Sequence, residues 1–173
     1  MPRLKDFSRD YSSLSFSMSS SVVHSDFTAG RTDIDIRYGP PHWPELTVRP
    51  IFDEQVMPLA SPVFIKRHRI ALPDDLMHVP LIQSTVGVVQ WPDCFAAQNI
   101  AHTPVSYAYR FVRAFMALDA AVQGLGVTFE STGIGALHLQ KNRLKPFLRR
   151  ASTCPYRRTF WCFPSATRKV LRS

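Results

Sequence analysis

The 173 residues carry 21 Lys and Arg against 13 Asp and Glu, a formal net charge of +8, with 45% hydrophobic and 20% charged residues. That balance suits a globular chain, excludes disorder by composition, and allows one domain or two small lobes. Met1 to Phe7 has no apolar h-region. The longest apolar stretch, Ala114 to Phe129, is broken by Asp119, Gln123, Gly124 and Gly126. Neither a secretory signal nor a membrane span is expected, and the chain is placed in the cytoplasm.

Taken in chain order, Leu4, Phe7 and Tyr11 at i, i+3, i+7 predict an amphipathic helix, with Pro2 near its start. Leu14, Phe16 and Met18 alternate with serines and predict a strand exposed on one face, followed by the polar loop Ser19, Ser20, Ser21. A short helix is expected from Asp26 to Gly30, then a second strand in which Ile34, Ile36 and Tyr38 alternate with Asp33, Asp35 and Arg37. The run Ile51 to Pro62 is extended and flanked by prolines, which suggests a crossover between two compact units. Beyond it come a strand at Leu81 to Ser84, a helix at Trp91 to Asn99 and a strand at Val105 to Phe111. A strong helix follows at Arg113 to Gln123, closed by Gly124, then a buried-type strand at Leu125 to Phe129. A helix at Ser131 to Lys141, a strand at Arg158 to Phe163 and a helix start at Ser165 complete the pattern. Such alternation predicts an α/β fold with mostly parallel strands.

Cys94, Cys154 and Cys162 are irregularly spaced, without a C-x-x-C pair, and are expected to be reduced packing residues. The six histidines never pair at metal-ligand spacing, so no metal is expected. The chain has no G-x-S-x-G elbow, P-loop, H-E-x-x-H or strand-following G-x-G-x-x-G, and no catalytic residue is legible. The basic clusters Lys66-Arg67-His68-Arg69 and Lys141 to Arg172 could track phosphates, but without interleaved aromatics they are better taken as solvated surface.

What remains is polar residues at strand ends and helix starts. Ser19, Ser20 and Ser21 follow the first strand, and Arg37 and Tyr38 end the second. Gln83, Ser84 and Thr85 follow the third, and Arg113 opens the strong helix. Helix-start N–H groups, hydroxyls and a guanidinium suit a carboxylate or phosphate. Each residue also has an ordinary reading as a cap, loop or solvated side chain.

The stretch Arg31-Thr32-Asp33-Ile34-Asp35-Ile36-Arg37-Tyr38-Gly39, followed by Trp43-Pro44-Glu45-Leu46, resembles the effector-binding domain of LysR-type transcriptional regulators. Pro58-Leu59-Ala60-Ser61-Pro62 looks like that family's crossover, and Leu118 to Val127 is similar to its L-x-A-A-x-x-G-x-G-V helix and strand. Pro2-Arg3-Leu4-Lys5-Asp6-Phe7 matches the opening of its first helix. The likeness runs in order along nearly the whole chain. It is nearest to the subgroup regulating glycine cleavage, β-lactamase and tryptophan synthase.

The resemblance implies a periplasmic-binding-protein-like (type 2) fold of two Rossmann-like lobes joined by crossover strands. Residues 1–56 with 164–173 would form lobe one and 57–163 lobe two. A small anionic metabolite, indoleglycerol phosphate-like, would sit in the cleft without any cofactor. The site residues would be Ser19, Ser20, Ser21, Arg37, Tyr38, Gln83, Ser84, Thr85, Trp91, Arg113 and Phe160, with Trp91 offering an aromatic face. The resemblance also implies a homo-oligomer, dimer or tetramer, that touches DNA only through an N-terminal helix-turn-helix and no membrane. That head and the first strand of lobe one are expected to lie outside these residues, leaving lobe one incomplete. The chain would then be a fragment, a mis-assigned start or a degraded gene. A free-standing small-molecule binding protein of the same fold is the alternative.

Overall fold

A computed structural model describes residues 4–21, 23, 25–27, 30, 32–38, 42–53, 55–87, 89–100, 106–147 and 158–164. The elements are α1 (Leu4–Asp10), β1 (Asp35–Tyr38), β2 (Leu46–Asp53), β3 (Val56–Ala60), α2 (Pro62–His68), a 3-10 helix (Pro73–His78) and β4 (Leu81–Ser84). They continue with α3 (Trp91–Ala97), β5 (Tyr109–Phe111), α4 (Ala114–Val122), β6 (Val127–Ser131), α5 (Ala136–Gln140), β7 (Lys145–Pro146) and β8 (Arg158–Pro164). No described helix is long and apolar enough to cross a membrane.

The larger sheet runs β5-β4-β6-β3-β7. Alternation along its strands sends side chains to two separate cores. Val56, Ala60, Leu81, Val127 and Phe129 join Phe64, Leu76, Trp91 and Phe95 under α2, the 3-10 helix and α3. Leu59 and Ile82 join Ala117, Leu118 and Ala121 under α4. A sheet covered on both faces needs nearly continuous apolar strands, and β3, β4 and β6 are buried almost throughout. The helix ends are built locally. The Ser61 hydroxyl accepts the Phe64 N–H at the start of α2.

The smaller sheet is β1-β8-β2, with β8 antiparallel to both neighbours. Residues 158–163, grouped with the second lobe on sequence grounds, therefore hydrogen-bond within the smaller sheet. The expectation of mostly parallel strands also needs correction. Among the described pairings only β4–β5 and β4–β6 are parallel. The reason is topological. The chain passes from β2 in one sheet to β3 in the other with no intervening helix, and β3 enters antiparallel to β6.

Residues 14–20 form no strand, and Leu14, Phe16 and Met18 are exposed. Alternation alone did not make a strand there, because no described strand pairs with it. Phe16 instead packs on Phe7, which also meets Tyr11 at 4.7 Å between ring centroids. Gly30 N–H closes a turn on the Phe27 carbonyl where a short helix was expected. The helix expected from Ser165 lies outside the described residues. β6 extends to Ser131, and α5 begins only at Ala136, because the Ser131 hydroxyl accepts the Gly133 and Ile134 N–H groups in a turn.

Arg37 organises the smaller sheet. Its Nε lies 3.0 Å from Asp35 Oδ2, its Nη2 donates to the Ser25 carbonyl, and its guanidinium stands over the Phe27 and Trp43 rings. Burial pushes the Asp35 carboxyl up, but the Arg37 guanidinium and the Ser25 N–H outweigh it and hold the group below its ordinary 3.8. The carboxylate's contribution to stability is therefore full above that value and is lost as pH falls through the lower folded-state value. Asp35→Ala is expected to cost about 1.5–3 kcal/mol near neutral pH, the scale of hydrogen bonds to a charged group. In acid-unfolding curves the difference from wild type should shrink below about pH 4.

Candidate functional site

A cavity of about 370 Å³ lies at the carboxyl ends of the parallel strands β4 and β6. This is where open α/β sheets place their ligands. Ser84 ends β4, and Phe129, Glu130 and Ser131 end β6. The first turn of α4, Ala114 and Phe115 with Arg113 before it, forms another wall, and no side chain caps that helix start. Val56, Val89 and Ile134 add apolar surface. Ser20 and Ser21 close the cavity from the segment that precedes the smaller sheet. Arg113 Nη2 donates to the Ser20 carbonyl at 3.2 Å, which ties that segment to the start of α4.

The chemistry of this wall is specific. Arg113 brings a permanent cation with further donors, and the α4 N-terminus adds backbone dipoles of the same sign. Ser84 is buried, and its hydroxyl has no hydrogen-bond partner among the described residues. A buried polar atom in that state calls for a partner. Glu130 is buried in the same wall.

Of the residues expected at a site, Ser20, Ser21, Ser84 and Arg113 line this one cavity. Gln83 is not among the described lining residues. Its amide donates to the Gln90 side-chain oxygen, and Gln90 in turn donates to the carbonyl of Gly87, which faces the cavity. Thr85 is exposed, and its hydroxyl donates to the Phe111 carbonyl. Ser19 is exposed and is not among the described lining residues.

Trp91 does not present a face to the cavity. It is fully buried, its indole Nε1 donates to the Ile82 carbonyl at 2.9 Å, and its ring packs against Phe95 and Phe129. Arg37 and Phe160 belong to the smaller sheet's own packing, where Trp43 meets Phe160 edge-on. Tyr38 pairs with Thr159 in the ladder, and its side chain is outside the described part.

A family model described as LysR substrate binding domain matches residues 1–169. The chain belongs to the LysR substrate binding domain family. Among curated relatives, the HTH-type transcriptional regulator PerR of Escherichia coli K12 is 34% identical over 165 residues, which cover 95% of this chain and 54% of PerR. The HTH-type transcriptional regulator y4mQ of Sinorhizobium fredii is 37% identical over 144 residues, covering 83% and 47%. The chain thus spans about half the length of these relatives. Among solved structures, the regulatory domain of CrgA, a LysR-type regulator from Neisseria meningitidis, superposes with a TM-score of 0.78 at 18% identity, covering 99% of this chain and 84% of that one. The effector domain of AmpR from Pseudomonas aeruginosa gives 0.73 at 23% identity, covering 94% and 77%. At such identities the likeness shows the fold alone, and that fold is the expected periplasmic-binding-protein-like one.

Sequence reasoning missed Glu130, Ser131, Phe115 and Ile134 in the wall of this LysR-family domain. A signal for the first two was present. Glu130-Ser131-Thr132 runs off the end of a strand with an apolar start just as Gln83-Ser84-Thr85 does, and a polar triplet at a strand's carboxyl end marks the same kind of place. The triplet was obscured because a helix was expected to begin at Ser131.

Proposed function

We propose that this chain is the effector-sensing part of a cytoplasmic, homo-oligomeric LysR-type regulator, catalyses nothing itself, and binds a small molecule with an anionic end. The two lobes would be the units around the smaller and the larger sheet, with the effector held where Ser20 and Ser21 meet the second unit. The observation that carries this reading is the cavity: Arg113, an uncapped helix start and an unpartnered buried hydroxyl on Ser84 share one wall at the strands' carboxyl ends. The relatives' names support the regulatory role, and DNA contact would belong to the half of such proteins that lies outside the matched region.

The test is thermal unfolding and calorimetry of the 173-residue chain against a panel of small carboxylates and phosphate esters, indoleglycerol phosphate included. A bound member should raise the midpoint of unfolding by mass action. Arg113→Ala should then weaken binding by about 1.5–3 kcal/mol, the scale of a charge-assisted hydrogen bond, and Arg113→Lys should restore only part, because the planar fork is lost. Unchanged affinity in Arg113→Ala would remove the residue from the site.

A further inference from the structure

We propose that a second cavity, at the opposite end of β3 from the effector cavity, binds the phosphate group of a small molecule. It holds about 530 Å³, within the roughly 300–1,000 Å³ of ligand pockets, and its wall includes Ser61, Val63, Arg67, Gln123, Asn142 and Arg143. Sheet pairing builds it. Ala60 pairs with Lys145, so the start of α2, which follows β3, meets the turn that leads into β7. The end of α4, at Val122 to Gly124, forms a third side. Val56, at the other end of β3, lies beside Ser131 in the wall of the effector cavity, and the two cavities share no described lining residue.

The two basic runs of the sequence, remote along the chain, meet here. Residues 61–72 and 138–147 carry Lys66, Arg67, Arg69, Lys141, Arg143 and Lys145 and no Asp or Glu. Arg67 and Arg143 stand in the cavity wall, both exposed, and neither is in an ion pair among the described residues. A guanidinium keeps its charge at any physiological pH, so the wall carries two cations and, among its described residues, no carboxylate. Their backbones are anchored. Phe64, one turn before Arg67, and Leu144, next to Arg143, are buried. Asn142 turns with φ 53°, and the Arg143 N–H donates to the His138 carbonyl. Like charges gathered in one hollow repel, and an anion between them removes that cost while taking donors from both forks. Helix carbonyls do not oppose it. Those of Asp119, Ala120 and Ala121 at the end of α4 already accept the N–H groups of Gln123, Leu125 and Gly124. The hollow suits a compact ligand better than a duplex, whose phosphates are strung along a line.

Calorimetry of the 173-residue chain tests the proposal at physiological ionic strength, where weak surface attraction is screened. The probes are pyrophosphate, glycerol 3-phosphate, acetate and a short DNA duplex. Pyrophosphate or glycerol 3-phosphate should bind about tenfold or more tightly than acetate, and Arg67→Ala and Arg143→Ala should each weaken it by a similar factor, the ratio for one lost charge-assisted contact. Arg67→Lys, which keeps the charge and loses the fork, should fall between. Circular dichroism checks that the variants are folded. Arg113→Ala, in the effector cavity, should leave this binding unchanged. Undiminished phosphate binding in both alanine variants overturns the site, as does the absence of any binding by either phosphate probe at millimolar concentration. Loss in Arg113→Ala alone overturns it too, by placing the anion in the effector cavity, so the two readings fail separately. Duplex binding tighter than either phosphate probe, and lost in the same two variants, overturns the small ligand in favour of a face that tracks nucleic-acid phosphates.

Discussion

Trp91→Ala is expected to lower stability by about 3–5 kcal/mol, the range for truncating a large aromatic side chain in a packed core. The indole opens α3 and is fully buried, stacked at 5.6 Å on Phe95 and tilted against Phe129 at 5.4 Å, and its N–H satisfies the Ile82 carbonyl in the middle of the sheet. Alanine would leave a cavity between α3 and the strands and would remove that donor. Trp91→Phe keeps most of the packing and loses the hydrogen bond, so about 1–2 kcal/mol is expected, mostly from the lost donor. Denaturant unfolding of the two variants separates these contributions. Phe129 stands between Trp91 and the ligand cavity, so ligand affinity should fall less than stability in Trp91→Phe. A Trp91→Ala variant as stable as wild type but unable to bind ligand would mean that the indole faces the cavity after all.

Trp91 also illustrates which parts of the site could be read from sequence. Position along an element was legible. Ser84 closes an apolar strand, Arg113 precedes an apolar helix, and both lie on the cavity wall as strand-end and helix-start residues should. Direction was not legible for residues with an apolar body and a polar tip. Trp91, Arg37 and Gln83 each turn that tip toward an internal partner, the Ile82 carbonyl, Asp35 and Gln90 respectively, and such a partner becomes visible only when the chain is folded. The fold shows the same division. α4 was legible because its apolar residues follow a helical period and have a sheet to cover, and β4 because a short apolar run ends in polar residues. The alternation of Leu14, Phe16 and Met18 had a strand's period but no described strand beside it, and hydrogen-bonded pairing, which makes a strand, is a non-local event.

Gly126→Ala should destabilise the chain by about 3 kcal/mol or more, at or beyond the upper end for overpacking, and far more than Gly124→Ala two residues earlier. Both glycines belong to the Leu118-to-Val127 stretch that carries the family likeness, yet they serve different physical ends. Gly124 ends α4 with φ +77°; its N–H donates to the Ala121 carbonyl and the Leu125 N–H to Ala120, a Schellman closure that favours glycine. An added Cβ there would meet only the Ser61 hydroxyl, at 3.8 Å, so the expected cost is conformational, about 1–2 kcal/mol. At Gly126 the backbone has no left-handed requirement, but a Cβ would stand 2.5 Å from the Pro80 carbonyl oxygen and 3.1 Å from its carbon. That oxygen accepts the Val127 N–H at 2.9 Å, the bond that starts the parallel pairing of β6 with β4. Neither strand can retreat easily, because Leu81 and Val127 are buried in one core and Ile82 in the other. Alanine must therefore either break the first link of the ladder or displace β4, whose far end is Ser84 in the cavity wall. Gly126→Ala should accordingly lower both the unfolding midpoint and ligand affinity, whereas Gly124→Ala should lower the midpoint alone. Similar losses of stability in the two variants would show that the approach of Pro80 to Gly126 is looser than 2.5 Å implies.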